Sequence, residues 1–445
     1  MSDQLDNTGP KNTSRRDFLK RSATTVAGAA LAGGLSISRS AHAAGDDEIK
    51  IALIGCGGRG TSAAVQALNN KAARNVKLVA LADAFQGRLD GCLRSVRSHS
   101  PNKVDVPKER QFTGLDCHEK AIACDVDMVL LCTPPGFRPM QFEASVKAGK
   151  HVFMEKPVAT DAPGVRKILA ANEEAKKKGL VVAVGHHLRH ESKHIEVVKR
   201  IHEGAIGDLM YMRVYFNSGG VWVRPRKPDQ TEMQYQVSNW YYFNWLCGDH
   251  IVEQHVHDID VGNWIADGYP VEANGMGGRQ VRKGKEHGEI FDHHSVEFTY
   301  DNGVKMFSYC RHMPGCWGSF SEHAHGTKGF ASIQGHGSSM LQVGKNEPLR
   351  WRRQGDGHQT EHDDLFAALI AGKPYNEGDN GAKSTMTAIL GRMATYSGKL
   401  VTWDQGINSQ LDLQPKSLTW DAEPLVKPDE NGYYACAVPG ATKAW

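Results

Sequence analysis

The sequence is short of the features that mark most specialised classes of protein. Nine cysteines (Cys56, Cys92, Cys117, Cys124, Cys132, Cys247, Cys310, Cys316 and Cys436) are odd in number and show no repeated Cys-x-x-Cys spacing. That argues against a disulfide framework and a structural zinc site, and it fits folding in a reducing compartment. Charge of neither sign dominates: 53 Lys and Arg stand against 50 Asp and Glu, and beyond residue 43 the count is 47 of each. A nucleic-acid surface or a polybasic membrane patch is not expected from that balance. Past the first 43 residues no apolar run is long enough to cross a bilayer, and there is no internal repeat or low-complexity tract. What remains is ample for two hydrophobic cores and too long for one.

Ser14-Arg15-Arg16-Asp17-Phe18-Leu19-Lys20 is a twin-arginine element, followed by a mildly apolar stretch from Ala23 to Leu35 and the small-residue signature Ala41-His42-Ala43. Residues 1–43 therefore read as an export signal for the twin-arginine machinery, too short and glycine-rich for a membrane anchor. The mature chain is expected in the periplasm or otherwise outside the cytoplasm. That route carries folded proteins, so a cofactor can be loaded before export. Where no pool of cofactor exists, it has to be held tightly and regenerated within one cycle or by a second substrate.

The apolar run Lys50-Ile51-Ala52-Leu53-Ile54 leads into Gly55-Cys56-Gly57-Gly58-Arg59-Gly60, a G-x-G-x-x-G loop. A helical segment follows at 62–70, then the apolar strand 76–82, which ends at Asp83. Strand, glycine loop, helix, strand and acid in this order predict a dinucleotide site. The glycines allow close approach to a pyrophosphate, and Asp83 would accept hydrogen bonds from the adenosine ribose. A carboxylate there favours NAD over NADP, although Arg88 lies close by.

Strands are expected at 49–54, 76–82, 126–132, 151–154 and 180–184, with helices at 62–70, 86–97, 137–148 and 163–178. This alternation predicts a doubly wound parallel sheet, a Rossmann domain over 49–186, with ligands at the carboxyl ends of its strands. Those ends carry Gly55, Asp83, Thr133-Pro134-Pro135 and Glu155-Lys156-Pro157. Beyond Gly207 the pattern changes to longer alternating strands, near 208–216, 270–281, 317–323 and 329–334, and a hairpin in which Asp301-Asn302-Gly303 joins His293–Tyr300 to Val304–Cys310. Together with helices at 255–266 and 361–371, these predict an α+β domain over 187–404 with a large open, mostly antiparallel sheet. The tail, 405–445, is expected to wrap a surface or a neighbouring subunit.

Lys156 follows a parallel strand at the rim where a nicotinamide would lie, and a lysine there can act as acid or base at a carbinol. The second polar cluster runs Gly248-Asp249-His250-Ile251-Val252-Glu253-Gln254-His255-Val256-His257-Asp258-Ile259-Asp260. On a helix, Glu253 and His257 share a face with Asp260 a turn further on; on a strand, Glu253, His255 and His257 alternate onto one side and could bind a metal. Trp240, within the aromatic run 239–245, suits stacking on a sugar, and Arg224 and Arg226 could bind hydroxyls or a carboxylate. His250 and Asp260 complete the candidate substrate residues.

Taken together, the loop at 50–60, the acid at 83, T-P-P at 133–135, A-G-K-H-V-F-M-E-K-P at 148–157, G-A-I-G-D-L at 204–209, E-Q-H-V-H-D-I-D at 253–260 and G-T-K-G at 326–329 resemble the Gfo/Idh/MocA oxidoreductases. The resemblance implies hydride transfer between NAD, less readily NADP, and a secondary carbinol of a sugar, sugar acid or cyclitol. It makes Lys156 the catalytic lysine, with His257 and Glu253 beside it, and Gly55, Gly57, Gly58, Arg59, Gly60, Asp83, Thr133, Pro134, Glu155 and Lys156 itself around the cofactor. No metal is expected. Glu253 stands where the family commonly has aspartate, His255 where it has glycine, and Arg138 where many members have histidine. The resemblance also implies a homodimer or homotetramer formed through the outer face of the sheet. A glycosidase or lyase using transient sugar oxidation and a nicotinamide-binding sensor without turnover are the alternative readings.

Overall fold

The computed structural model describes residues 48–445; the expected export signal at 1–43 lies outside them. Six parallel strands, β1 (Ile49–Ile54), β2 (Val76–Asp83), β3 (Gln111–Thr113), β4 (Met128–Leu131), β5 (His151–Met154) and β6 (Val182–Val184), lie in the order β3-β2-β1-β4-β5-β6. The residues of β1, β2, β4 and β5 are almost wholly buried because helices cover both faces of the sheet, which is why these strands read as continuous apolar runs. Chain order reverses between β1 and β4, and the crevice beyond their carboxyl ends is where such a sheet binds ligands. β3 is absent from the sequence reading because three residues between turns carry no period.

Nine strands form the second sheet: β7 (Leu209–Ser218), β8 (Glu272–Gly278), β9 (His293–Thr299), β10 (Lys305–His312), β11 (Ser319–Gly326), β12 (Gly329–Gln334), β13 (Ser339–Val343), β14 (Leu349–Trp351) and β15 (Val401–Thr402). Their order is β14-β13-β12-β11-β7-β10-β9-β8-β15. The expected hairpin forms, with Thr299 opposite Lys305 across Asp301-Asn302-Gly303, and alternate residues of β9 and β10 are buried. The pairing is antiparallel except between β7 and β10, which run parallel because β10 reaches β7 from across the β9 hairpin.

The inner face of this sheet packs on the helices Val256–Ala266 and Gly378–Ser397. The second is buried along nearly its whole length, so it lacks the polar face by which a surface helix is recognised, and the sequence reading misses it. A third apolar cluster joins Leu115 and Phe137 of the first domain to Met233, Tyr241, Phe243 and Trp245 of the second. Leu413 and Trp420 pack against it from the tail, which thus wraps its own chain.

Candidate active site

The helix after β1 spans Gly58–Leu68, so it begins inside the glycine loop and not at residue 62 as expected. No side chain caps its N-terminus and no acid occupies its first turn, which leaves backbone N–H groups and the positive end of the helix dipole for an anion. The loop can close this tightly only with glycine. A Cβ on Gly60 would lie 1.9 Å from the Gly55 carbonyl oxygen, and one on Gly55, at φ +100°, would lie 2.5 Å from the Cys132 carbonyl carbon. Around Gly58, in contrast, a Cβ would meet nothing within 4 Å. A pyrophosphate therefore fits this loop on donors, charge and space together.

At the end of β2, Asp83 accepts hydrogen bonds from the backbone N–H of Cys56 at 2.7 Å and of Phe85 at 2.8 Å, which ties the second strand to the glycine loop. Burial raises its carboxyl, while those donors and then Arg88 and Arg224 oppose the rise. Asp83, Phe85, Arg88, Thr133 and Pro134 line one continuous cleft with the glycines. Arg59 pairs with Glu155 at 2.8 Å, and Thr133 donates to Gln141 at 2.6 Å.

Lys156 projects from the carboxyl end of β5 across to the second domain. Its ammonium donates to the Glu253 backbone carbonyl at 2.6 Å and lies 3.5 Å from the Glu253 carboxylate. Glu253 ends a short helix, His250–Glu253, and the chain turns at Gln254 before the helix Val256–Ala266 begins. Glu253 and His257 are thus not one turn apart on a continuous helix, as the spacing predicts; a break at Gln254 separates them. Burial and then the charge of Lys156 push the His257 imidazole well below its ordinary pKa, so the ring is neutral. Burial also raises the Glu253 carboxyl, against the pull of Lys156.

Two further histidines join this group. The His187 ring lies 4.7 Å from that of His257, edge to face, and 3.8 Å from that of His358, stacked. His187 follows β6 at the carboxyl edge of the sheet, a position the topology marks; His358 comes from a distant helix, Gly357–Ile370, with no local signal.

The remaining candidates lie elsewhere. Arg224 and Trp240 line the same cleft as Asp83 and Phe85, so they face the cofactor groove and not the sugar position expected for them. Arg226 is spent on an ion pair with Glu232 and a hydrogen bond from its guanidinium to Tyr434 at 2.9 Å. Asp260 is enclosed: it accepts from Arg189 at 2.7 Å, Ser384 at 2.6 Å and Asn380 at 3.0 Å. Burial would raise its carboxyl, but Arg189 and then His186 hold it far below the usual range. It serves as an internal anchor, with no oxygen turned to a substrate.

His250 is buried beside Asp249, Nδ1 to Oδ1 at 2.7 Å, and burial lowers it to about 4. Asp249, His250 and His294 bring ligand atoms within 4.8 Å of one another. The two Asp249 oxygens, however, already accept from the backbone of His250 and Phe291 and from the Tyr396 hydroxyl.

Residues 49–186 match a family model described as oxidoreductase family, NAD-binding Rossmann fold, and residues 194–332 match the GFO/IDH/MocA C-terminal domain. Over 219 residues the chain is 27% identical to the inositol 2-dehydrogenase of Paracoccus denitrificans (strain Pd 1222), covering 49% of this chain and 54% of that protein. Over 221 residues it is 27% identical to a glycosyl hydrolase family 109 protein of Shewanella baltica (strain OS185), covering 45% of each. The chain thus spans about half the length of these curated relatives. It is similar in fold to a solved levoglucosan dehydrogenase in complex with NADH and levoglucosan, with a TM-score of 0.65 over 81% of this chain and 100% of that one, at 17% identity.

Proposed function

The chain belongs to the GFO/IDH/MocA oxidoreductase family, and we propose that it transfers hydride between a tightly held NAD and a secondary carbinol of a sugar, sugar acid or cyclitol. The observation that carries this reading is the meeting of Lys156 with Glu253, beside His257, at the same carboxyl edge that bears the glycine loop and Asp83. Bound in the cleft, the nicotinamide supplies the hydride chemistry. The protein's part is to hold a hydroxyl and move its proton. Lys156, a donor fixed between the domains, orients the hydroxyl and stabilises negative charge developing on its oxygen. His257, neutral and half-buried, takes the proton, and Glu253 keeps the ammonium in place. Asp83 supports a preference for NAD, because a carboxylate repels a 2′-phosphate.

The relatives named inositol 2-dehydrogenase and levoglucosan dehydrogenase support a cyclitol or sugar substrate. The relative named as a family 109 glycosyl hydrolase supports a second reading, in which the sugar is oxidised only transiently and the cofactor returns to its starting state each turn. Absorbance at 340 nm, followed with NAD and a panel of aldoses, aldonates, cyclitols and glycosides, separates the two. A dehydrogenase reduces its resident NAD, so the absorbance rises at least by the NADH held on the protein. A glycosidase releases its aglycone with no net change, and a sensor gives neither signal. Export through the twin-arginine route belongs to the same proposal, since it delivers a folded protein with its cofactor in place; fractionation of cells expressing the full chain and an Arg15→Lys/Arg16→Lys variant tests it.

A further inference from the structure

The adenosine half of the cofactor cleft has a wall that the Rossmann domain does not supply. Asp83, Phe85 and Arg88 of the Rossmann domain line the cleft together with Trp222, Arg224 and Trp240 from beyond that domain. Arg224 is held in position. Its backbone N–H donates to Asn239 Oδ1 at 2.9 Å, its Nη1 donates to the Ser238 carbonyl at 2.8 Å, and its guanidinium lies 4.0 Å over the Trp222 ring. Behind Phe85 stands Trp420 of the tail, ring to ring at 5.4 Å. The tail is fastened on both sides of that contact: the Leu413 N–H donates to Asp161 at 2.9 Å, the Thr231 hydroxyl to the Trp420 carbonyl at 2.6 Å, and Gln236 to the Val426 carbonyl at 2.8 Å.

We infer that Arg224, and Phe85 backed by Trp420, are cofactor-binding elements that close the adenosine subsite, so that the dinucleotide leaves only when this wall opens. The inference rests on the proposed nicotinamide cofactor. A dinucleotide brings a flat adenine and an anionic pyrophosphate into the cleft; a preorganised guanidinium both stacks on the one and attracts the other. Release must pull Phe85 and Trp240 away from a cluster that also contains Val237, Leu413 and Trp420, and so exposes apolar surface to water. An enclosing wall of this kind acts mainly on the dissociation rate. Arg224 therefore serves the cofactor and not the sugar, and the tail makes the cofactor a resident of the protein.

The test uses the full chain loaded with NADH, with the loss of NADH fluorescence followed after dilution into excess NAD. Arg224→Ala and Trp420→Ala are expected to release NADH roughly tenfold faster than wild type or more. Tyr433→Ala, on the same tail but 46% exposed and 5.3 Å from the Lys285 ammonium, is expected to release it at the wild-type rate. Circular dichroism identifies any variant that has lost its fold; Arg224→Lys and Trp420→Phe then take its place, with intermediate rates expected. Wild-type release from both Arg224→Ala and Trp420→Ala overturns the inference, as does equal acceleration in Tyr433→Ala. A wild-type chain that binds no NADH sinks the proposed cofactor itself, so the two failures are distinct.

Discussion

Gly60 has no room for a single added carbon, because the Gly55 carbonyl oxygen lies 1.9 Å from where a Cβ would stand. Gly60→Ala must therefore push the glycine loop open and misplace the N–H groups at the start of the helix. NADH affinity, measured by fluorescence titration, is expected to fall by roughly tenfold or more, the size of losing one or two hydrogen bonds to a charged group. An unchanged affinity would mean that the dinucleotide does not use this loop. In the proposed mechanism Lys156 and His257 act on the substrate hydroxyl and its proton. Lys156→Ala and His257→Ala should each lower kcat by roughly 100-fold, the usual scale of acid–base catalysis, with NADH still bound. Near-normal turnover by His257→Ala would shift the proton transfer to Lys156.

The helix Val256–Ala266 is positioned by one buried carboxylate as much as by its apolar face. Asp260, 1% exposed, joins it to Arg189 of the turn after β6 and to Asn380 and Ser384 of the helix Gly378–Ser397. Removing it leaves the Arg189 charge and two polar side chains without their partner. Asp260→Ala is therefore expected to lower the unfolding free energy by about 3 kcal/mol, the low end for breaking a buried ion pair. Urea denaturation measures this; a substrate-binding Asp260 would instead raise KM and leave the unfolding midpoint in place.

Across the whole molecule, burial keeps several histidines neutral: His250 and His323 are lowered to about 4, and His187, His255, His257 and His362 also titrate well below or below their ordinary value. In the unfolded chain each takes up a proton near pH 6.5. Because the folded state binds it only at lower pH, their contribution to stability is complete above about 6.5 and is lost as pH falls towards 4. His190 has the opposite sign. Burial would lower it, but Asp364 and then Glu377 hold it up to about 10, so its contribution persists in acid and fades at alkaline pH. His194 has the same sign as His190: burial would lower it, but Glu191 and then Glu322 hold it up. The buried neutral histidines outnumber these two, so the melting temperature should fall steadily between pH 6.5 and 4; a flat profile would contradict their neutrality. The open sheet face bears on assembly. Tyr211 stacks on His325 at 4.5 Å and Tyr215 on Tyr309 at 5.3 Å along it, a surface that supports the proposed dimer or tetramer. Light scattering at micromolar concentration should find no monomer.

Local pattern was sufficient for β1, β2, the glycine loop, Asp83, the Asp301-Asn302-Gly303 hairpin and the placement of Lys156 at the end of β5. Each is encoded within a few residues, by apolar runs of strand length, by glycines where a side chain would collide, or by a turn that suits one conformation. Contacts between distant segments are not encoded in this way. Arg224 follows Trp222 in a loop that could face sugar or cofactor, and only the packing of the second domain against Phe85 turns it to the adenosine side. His358 reaches His187 from a helix begun some 170 residues later, and Asp260, polar on a helix that reads as substrate-facing, is claimed by Arg189. The parallel pairing of β7 with β10 and the burial of Gly378–Ser397 likewise follow from which elements meet, a choice made by the free energy of the whole core and not by any one stretch of chain.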